Sequence, residues 1–551
     1  MPPYLLEPYA FETLLDWLAD PSVGRTSETL KQRGNACYFE DYLKHLDVVS
    51  MIQEIEYVDS DYMNDFAAYY AKCFSSFSKF TRRIHFFAIQ IGRDEFSTAL
   101  SDPASPLRQR LHDDPDLYLG FIVVKPLPRT FIGKTCLRPY PEEKGRRYYP
   151  IMKQYKANLF GLDLSLDSLA FQEQDHEVAA CATSALWSLF HGSSVRFGHK
   201  IPSPHAITLA ATTNIPDWLN VNPDTRRFPN SGLSPAQISA AIRSLDLEAF
   251  LVACLGKSAN GKAESKLSRR TIVNIAAYAY LVSGIPVLMV CKLKEKDAKG
   301  ITKDLGYHAI TLTGFSMDTS QKLQPVIQVG SSEITLRPMR IRGFYAHDDQ
   351  IGPFARMEWK DDNTLSTSWY CLEKRLVEAA PDSLIIPLAS KIRIPYDIVE
   401  TAIVEINQLI HLFAIQRAGK PVEWEIRLDT VNKLKSEIIS DPDINPEERS
   451  RLLTRHMPKH IWRAIAWVDS SQGTPRGALE ILVDATALQQ EGGLVDVLMR
   501  GDFLANAIVG SLQQPKVSAG SKNARLSELT QQICQFFGCA VTQQEKGPGS
   551  N

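Results

Sequence analysis

The sequence predicts an α/β (α+β) protein built of several regions, and three observations carry that prediction. Some segments repeat apolar residues at helical spacing, while others alternate or run apolar over strand length. The two kinds of segment are interleaved along the whole chain. Charged, Gly- and Pro-bearing stretches punctuate them. With 551 residues, 44% of them hydrophobic and 23% charged, the composition is that of an ordinary globular chain. The length suits roughly two to four domains.

The first region spans 1–158. Phe11 to Leu18 and Leu43 to Ile55 have apolar positions at helical spacing, and Tyr62 to Phe77 is rich in Tyr, Phe and Ala. Arg82 to Ile91 reads as a strand, as does Leu119 to Leu127, which proline ends. Arg129 to Leu137 continues that sheet. Residues 138–158 are charged and proline-bearing, the pattern of a boundary or surface loop. The central region, 159–385, contains an exposed loop from Gly256 to Arg270, expected to be a mobile insertion near the site. The third region, 386–542, has a helical pattern over Asp397 to Ala414 and a strand over Glu423 to Leu428. Helices are expected over Val431 to Ile439 and Glu447 to Arg455, then two alternating strands, Ile461 to Val468 and Arg476 to Asp484. Trp424, Trp462 and Trp467 are expected in the core of that region. Residues 543–551 read as a disordered tail.

Lys plus Arg number 61 against 63 Asp plus Glu, a net charge of -2, so the basic surplus of a nucleic-acid binder is missing. The segment from Met1 to Pro8 has neither a basic start nor a long apolar core, so no secretory signal is read there. The uncharged run from Thr271 to Cys291 has the length of a membrane span. Asn274, Ser283, Gly284 and Pro286 break it into a helix followed by a strand, so no membrane association is expected. The 9 cysteines are spread singly, which argues for reduced thiols and a cytoplasmic location. Cys534 and Cys539 lack a second pair, and the spacings of His176, His191, His199 and His205 match no metal motif. A metal site from His347, Asp348 and Asp349 is disfavoured because neighbouring strand residues point to opposite faces. No phosphate-binding or dinucleotide-binding glycine motif occurs, so neither cofactor nor metal is assigned.

One pair of residues carries chemistry. Cys181 stands where a polar lead-in, Gln172 to Glu177, gives way to a helix-forming segment running through Trp187. A helix N-terminus favours a thiolate. His308 opens a strand-like run, His308 to Phe315, expected to pair with Ile285 to Leu293. From such a strand a histidine can take the proton of the thiol and return it to a leaving group.

The residues Gly284-Ile285-Pro286-Val287, an apolar strand, then Gly306-Tyr307-His308 and an apolar strand ending in Gly314-Phe315, together resemble papain-like cysteine peptidases. The closest pattern is the bacteriocin-processing branch, and the resemblance covers about 160 to 360. It implies a papain-like fold with a helix-start cysteine and an antiparallel sheet. In that branch the strand after the histidine hairpin ends in an aspartate, and Ile341 to Asp348 fits. The resemblance therefore implies a Cys181–His308–Asp348 triad, with Asp349 the alternative acid. Gln174 would be the oxyanion glutamine, with Gln172 the fallback. Val326 to Val329 and Ile334 to Leu336 supply an extra hairpin between histidine and acid. The implied activity is hydrolysis of a peptide or isopeptide bond in a protein or peptide substrate. Two other readings stay open: a transglutaminase-like acyl transfer on the same triad, and a non-catalytic papain-like scaffold used for binding or regulation.

Overall fold

In the computed structural model, residues 3–536 are described except 75, 144, 176–180, 214–231, 255–266, 297–301, 322, 330–331, 370–375, 411–421, 470–474, 489–491 and 501–527. The expected loop over 256–270 and the tail after 542 fall largely or wholly outside the described residues. Helices and antiparallel sheets alternate through the chain, with one parallel pairing. The chain divides into two compact units. The first comprises 1–273, 284–319 and 341–389; the second comprises 274–283, 320–340 and 390–551. Thus 1–158 lies in the same unit as most of 159–385.

The first unit holds a five-stranded antiparallel sheet, in which Tyr4–Pro8, Ser50–Tyr57, Thr81–Phe87, Tyr118–Val124 and Ile132–Leu137 lie in chain order. The helical spacing over 43–55 proved misleading. A helix, Gly34–His45, ends within it, and Ser50–Tyr57 is a strand whose first five residues are buried. A strand covered on both faces shows no period-2 alternation, so its apolar residues imitate a helix. Residues 138–158 are also more ordered than a loop. Lys153–Leu159 and Leu162–Ser168 form a hairpin that alternates inward and outward. Its two-residue turn, Phe160 and Gly161, has both φ angles positive (50° and 89°), the geometry of the tightest hairpins.

The eight-stranded sheet of the same unit positions the site. Its main path runs Gly352–Glu358, Ile341–Asp348, Thr302–Met317, Val287–Lys296, Leu376–Ala389 and Leu365–Ser366, with Arg147–Tyr148 and Leu247–Ala253 added at the sides. The histidine strand begins at Thr302, not at His308. Gly306, at φ 92°, and a register shift at Leu293/Lys294 carry the pairing past His308. That outer stretch is exposed and polar, so it lacks the apolar pattern that marks a strand. The helix Cys181–Phe197 packs on this sheet. Trp187, Leu186, Leu189 and Phe190 join Leu288, Ala309 and Ile385 in one apolar cluster, which extends to Phe87, Phe121 and the 153–168 hairpin. At Gly192 an added Cβ would come within 2.6 Å of Ile151 Cγ2, so only glycine lets the helix lie this close.

In the second unit, Ile327–Val329, Ser332–Leu336, Glu423–Thr430, His460–Asp469, Pro475–Asp484 and Leu494–Met499 form a six-stranded sheet. The 327–336 hairpin belongs to this sheet and not to the one bearing His308. Trp424 and Trp462 are fully buried. Trp467 is half-buried, its Nε1 donating to Glu425 Oε2 at 2.8 Å. The polar tip of the ring explains its partial exposure. On the same face lies a buried ion network: Arg463 Nε reaches Glu480 at 2.5 Å, and its Nη1 reaches Asp429 at 3.2 Å and Glu437 at 2.6 Å.

Among the described residues no helix is long and apolar enough to cross a membrane. The uncharged run at 271–291 divides into the helix Arg269–Leu281 and the strand Val287–Lys296.

Candidate active site

Cys181 is the first residue of its described helix and is half-buried. The helix is buried on nearly every side from Ala182 to Ser193, which its small residues (Ala, Ser, Thr, Gly) permit. Thr311 Oγ1, three positions past His308 on its strand, donates to the Ala185 carbonyl at 2.6 Å and pins helix to strand. His308 is 6% exposed and pairs in register with Cys291 on the neighbouring strand.

The imidazole and the acid are in direct contact: His308 Nε2 lies 2.9 Å from Asp348 Oδ1. Asp348 also accepts from Gln350 N at 3.1 Å, and its Oδ2 accepts from Trp369 Nε1 at 2.7 Å. The Trp369 ring stands edge-on to the imidazole, with centroids 5.5 Å apart. The Cys181 side chain is close enough to act on the same imidazole and favours its cationic form.

Burial works against charge on His308. The Asp348 charge, the bonds from Asp348 and Cys181, and the Asp349 charge outweigh it and hold the imidazole well above its ordinary value. Burial would raise Asp348, yet the His308 charge and the donors His308, Trp369 and Gln350 keep its carboxyl below the usual range. The ring and Asp348 therefore form an imidazolium–carboxylate pair at neutral pH.

Asp349 behaves differently. It lies 3.6 Å from His308 Nε2 and is 4% exposed. Neither of its oxygens accepts a well-formed hydrogen bond among the described residues, although its own N–H and the Gln350 side chain approach. Burial, and then the Asp348 charge, push its carboxyl up to about 7 against the pull of His308.

Donor atoms of His308, Asp348 and Asp349 lie within 4.8 Å of one another, close enough to share a cation. A cation there would have to displace His308 from Asp348. His347 is not part of this cluster: its Nε2 donates to Leu169 O at 3.0 Å, and its Nδ1 accepts from Phe354 N at 3.1 Å.

Gln174 is tied to the acid loop. Its Oε1 accepts from Gln350 Nε2 at 2.6 Å, and its backbone N–H reaches Asp349 O at 3.5 Å. The structure thus brings Cys181, His308 and Asp348 together directly and joins Gln174 to them through Gln350. Residues 176–180, between Gln174 and Cys181, are outside the described residues, and no contact between those two side chains is described. Gln172 is buried. Among the other histidines of the 176–205 group, His191 is a packing residue, its Nδ1 sharing a hydrogen bond with Tyr155 OH at 2.9 Å and its ring centroid lying 4.2 Å from that of Trp187.

Two members of the arrangement escaped the sequence reading. Gln350 follows the acid pair directly and belongs to no motif of its own. Trp369 sits in Ser366-Thr367-Ser368-Trp369, with no spacing that ties it to the histidine. No family model, no curated protein and no solved structure matches the chain.

Proposed function

We propose that this protein is a thiol hydrolase of papain-like type, cleaving a peptide or isopeptide bond. The observation that carries the reading is one buried imidazole that bonds Asp348 through Nε2 and is acted on by the side chain of Cys181, a residue at the start of its described helix. A sulfur at a helix start with a cationic imidazole at hand is a nucleophile with its acid–base partner. The antiparallel sheet with a cysteine helix packed on its histidine strand supports the papain-like resemblance.

In the proposed reaction the Cys181 thiolate attacks the carbonyl carbon, and the carbonyl oxygen takes the negative charge. The Cys181 backbone N–H and the Gln174 amide would hold that oxyanion. The C–N bond breaks as the His308 imidazolium gives its proton to the departing amine, leaving a thioester. His308 then takes a proton from water, the hydroxide attacks the thioester, and the acid product leaves as the thiol re-forms. Asp348 orients the ring and stabilises its cationic form.

The test is thiol reactivity. Iodoacetamide at pH about 6 is expected to label Cys181 faster than the other cysteines, since thiolate is the reacting form. His308→Ala is expected to abolish that selectivity with the fold intact, because it removes the charge partner. Equal labelling of Cys181 and the other thiols in the wild type, or an unchanged rate in His308→Ala, overturns the proposal. Addition of a chelator leaves the labelling pattern unchanged if the site works through its thiol alone.

A further inference from the structure

A second site lies in the first unit, built from residues the proposed hydrolysis does not use. A pocket of about 600 Å³ is lined by Gly24, Arg25, Thr29, Leu30, Arg33, Pro128 and Arg129. Three of the seven are arginines, and none of the lining residues is acidic.

Arg25 forms the floor and is 2% exposed. Its Nε donates to Leu18 O at 2.8 Å, and its Nη1 donates to the carbonyls of Leu127 and Lys125. Its Nη2 makes no hydrogen bond among the described residues; the nearest carboxylate oxygen, on Asp20, is 4.0 Å away. Arg33 forms the wall. Its Nη1 donates to Arg129 O at 2.6 Å and its Nη2 to Glu173 Oε1 at 3.2 Å. The guanidinium carbons of Arg25 and Arg33 lie 4.7 and 5.2 Å from the Phe131 ring centroid, which fixes both planes. Arg129 is exposed at the rim.

The charges do not balance. Arg25 feels Arg82 and Arg33 on the positive side, against Asp20 and Glu173. Burial first, and then the Arg82 charge, push the guanidinium down to about 10; counting Arg25 itself, three cations meet two carboxylates. Glu173 is itself committed, pairing with Arg33 at 3.2 Å and accepting from Asn35 Nδ2 and Ile132 N. Arg129 adds a further positive charge. Two carboxylates near four guanidiniums leave room for a dianion, and Arg129, whose side chain makes no hydrogen bond among the described residues, is the fork that can turn to phosphate oxygens.

We propose that this pocket binds the phosphate group of a small phosphate monoester. A monocarboxylate would satisfy only half of the uncompensated charge. The monoester's organic part would lie toward Leu30 and Pro128, the apolar lining.

The experiment is isothermal titration of the full chain at constant ionic strength with glycerol 3-phosphate, inorganic phosphate and acetate. Saturable binding of both phosphates at one site, and none of acetate, is expected. Arg129→Ala is expected to weaken phosphate binding at least about tenfold, the scale of one lost charge-assisted hydrogen bond. Its fold should persist, since the side chain is exposed and the carbonyl that accepts from Arg33 remains; circular dichroism checks this. Arg110→Ala, which alters an exposed arginine paired with Glu95 at 3.2 Å, is expected to leave binding unchanged. No phosphate binding, equal binding of acetate, or undiminished binding by Arg129→Ala would each overturn the proposal. None of these results depends on whether Cys181 is a nucleophile.

Discussion

Asp349→Asn is expected to remove a pH-dependent stability penalty without removing the imidazole–Asp348 bond. The wild-type carboxyl is buried, its oxygens are unpartnered, and it titrates at about 7 in the folded chain. In the unfolded chain it titrates near 3.8. Between these values the folded form keeps a proton that the unfolded form has released. Stability therefore falls as pH rises through that window, and the loss is complete above about pH 7. Each pH unit inside the window is worth about 1.4 kcal/mol, so raising the pH from 5 to 8 costs the wild type roughly 3 kcal/mol through this group. Asparagine does not titrate and lacks this term. Its amide brings an unpaired donor, a cost that does not vary with pH. The quantity to compare is thus the wild-type minus variant difference in unfolding free energy, from urea denaturation at pH 5 and pH 8. That difference should shift by roughly 3 kcal/mol in favour of the variant on going to pH 8. Asp65 and Glu400, also raised by burial, to about 8 and about 7, contribute equally to both proteins and cancel. A pH-independent difference would refute the reasoning, and would mean that Asp349 is already ionised and paired in the fold.

Two further outcomes follow from other contacts. Trp369→Phe keeps the ring beside His308 but removes the Nε1 bond to Asp348 Oδ2, so Cys181 labelling at pH about 6 should slow by about tenfold at most, given a partly exposed bond; wild-type rates would show that Trp369 only fills space. Arg463→Met removes the cation shared by Glu480, Asp429 and Glu437, but Arg500 stays on Glu480 and Arg427 on Asp429 and Glu437, so urea denaturation should show a loss of roughly 1–3 kcal/mol; no loss would mean that these remaining arginines carry the network alone.

The sequence made the strongly patterned parts of this structure legible, and it failed where pattern and environment part ways. The strands at 461–468 and 476–484, and the helices at 431 and 447, came from clean periodicity and reappear as His460–Asp469, Pro475–Asp484, Val431–Ser440 and Pro446–Thr454. Ser50–Tyr57 was hidden because both its faces are covered. The outer half of the histidine strand was hidden because it is exposed and charged. The hairpin at 327–336 was visible as strands, but its sheet was not, since pairing partners distant in sequence leave no local trace. In the site, the order cysteine, histidine, acid could be read from flanking motifs. Trp369 and Gln350 could not, because their bonds to Asp348, and that of Gln350 to Gln174, need only a donor of the right reach.

The two acids also show why side-chain alternation failed as a guide here. Within a strand, Asp348 and Asp349 would face opposite ways. The strand, however, ends at Asp348, and Asp349 opens the turn leading to Gly352. Freed from the pleat, Asp349 swings back to within 3.6 Å of the nitrogen that Asp348 holds at 2.9 Å. His347, still inside the strand, obeys the alternation and points to Leu169 and Phe354. The nearer acid, with its three donors, is stabilised as a carboxylate. The farther one, without a well-formed bond, is raised by the same burial to about 7. Two chemically identical side chains, adjacent in sequence, are thus shifted in opposite directions beside one imidazole, and what separates them is first the direct bond to His308 and then the donors Trp369 and Gln350 N.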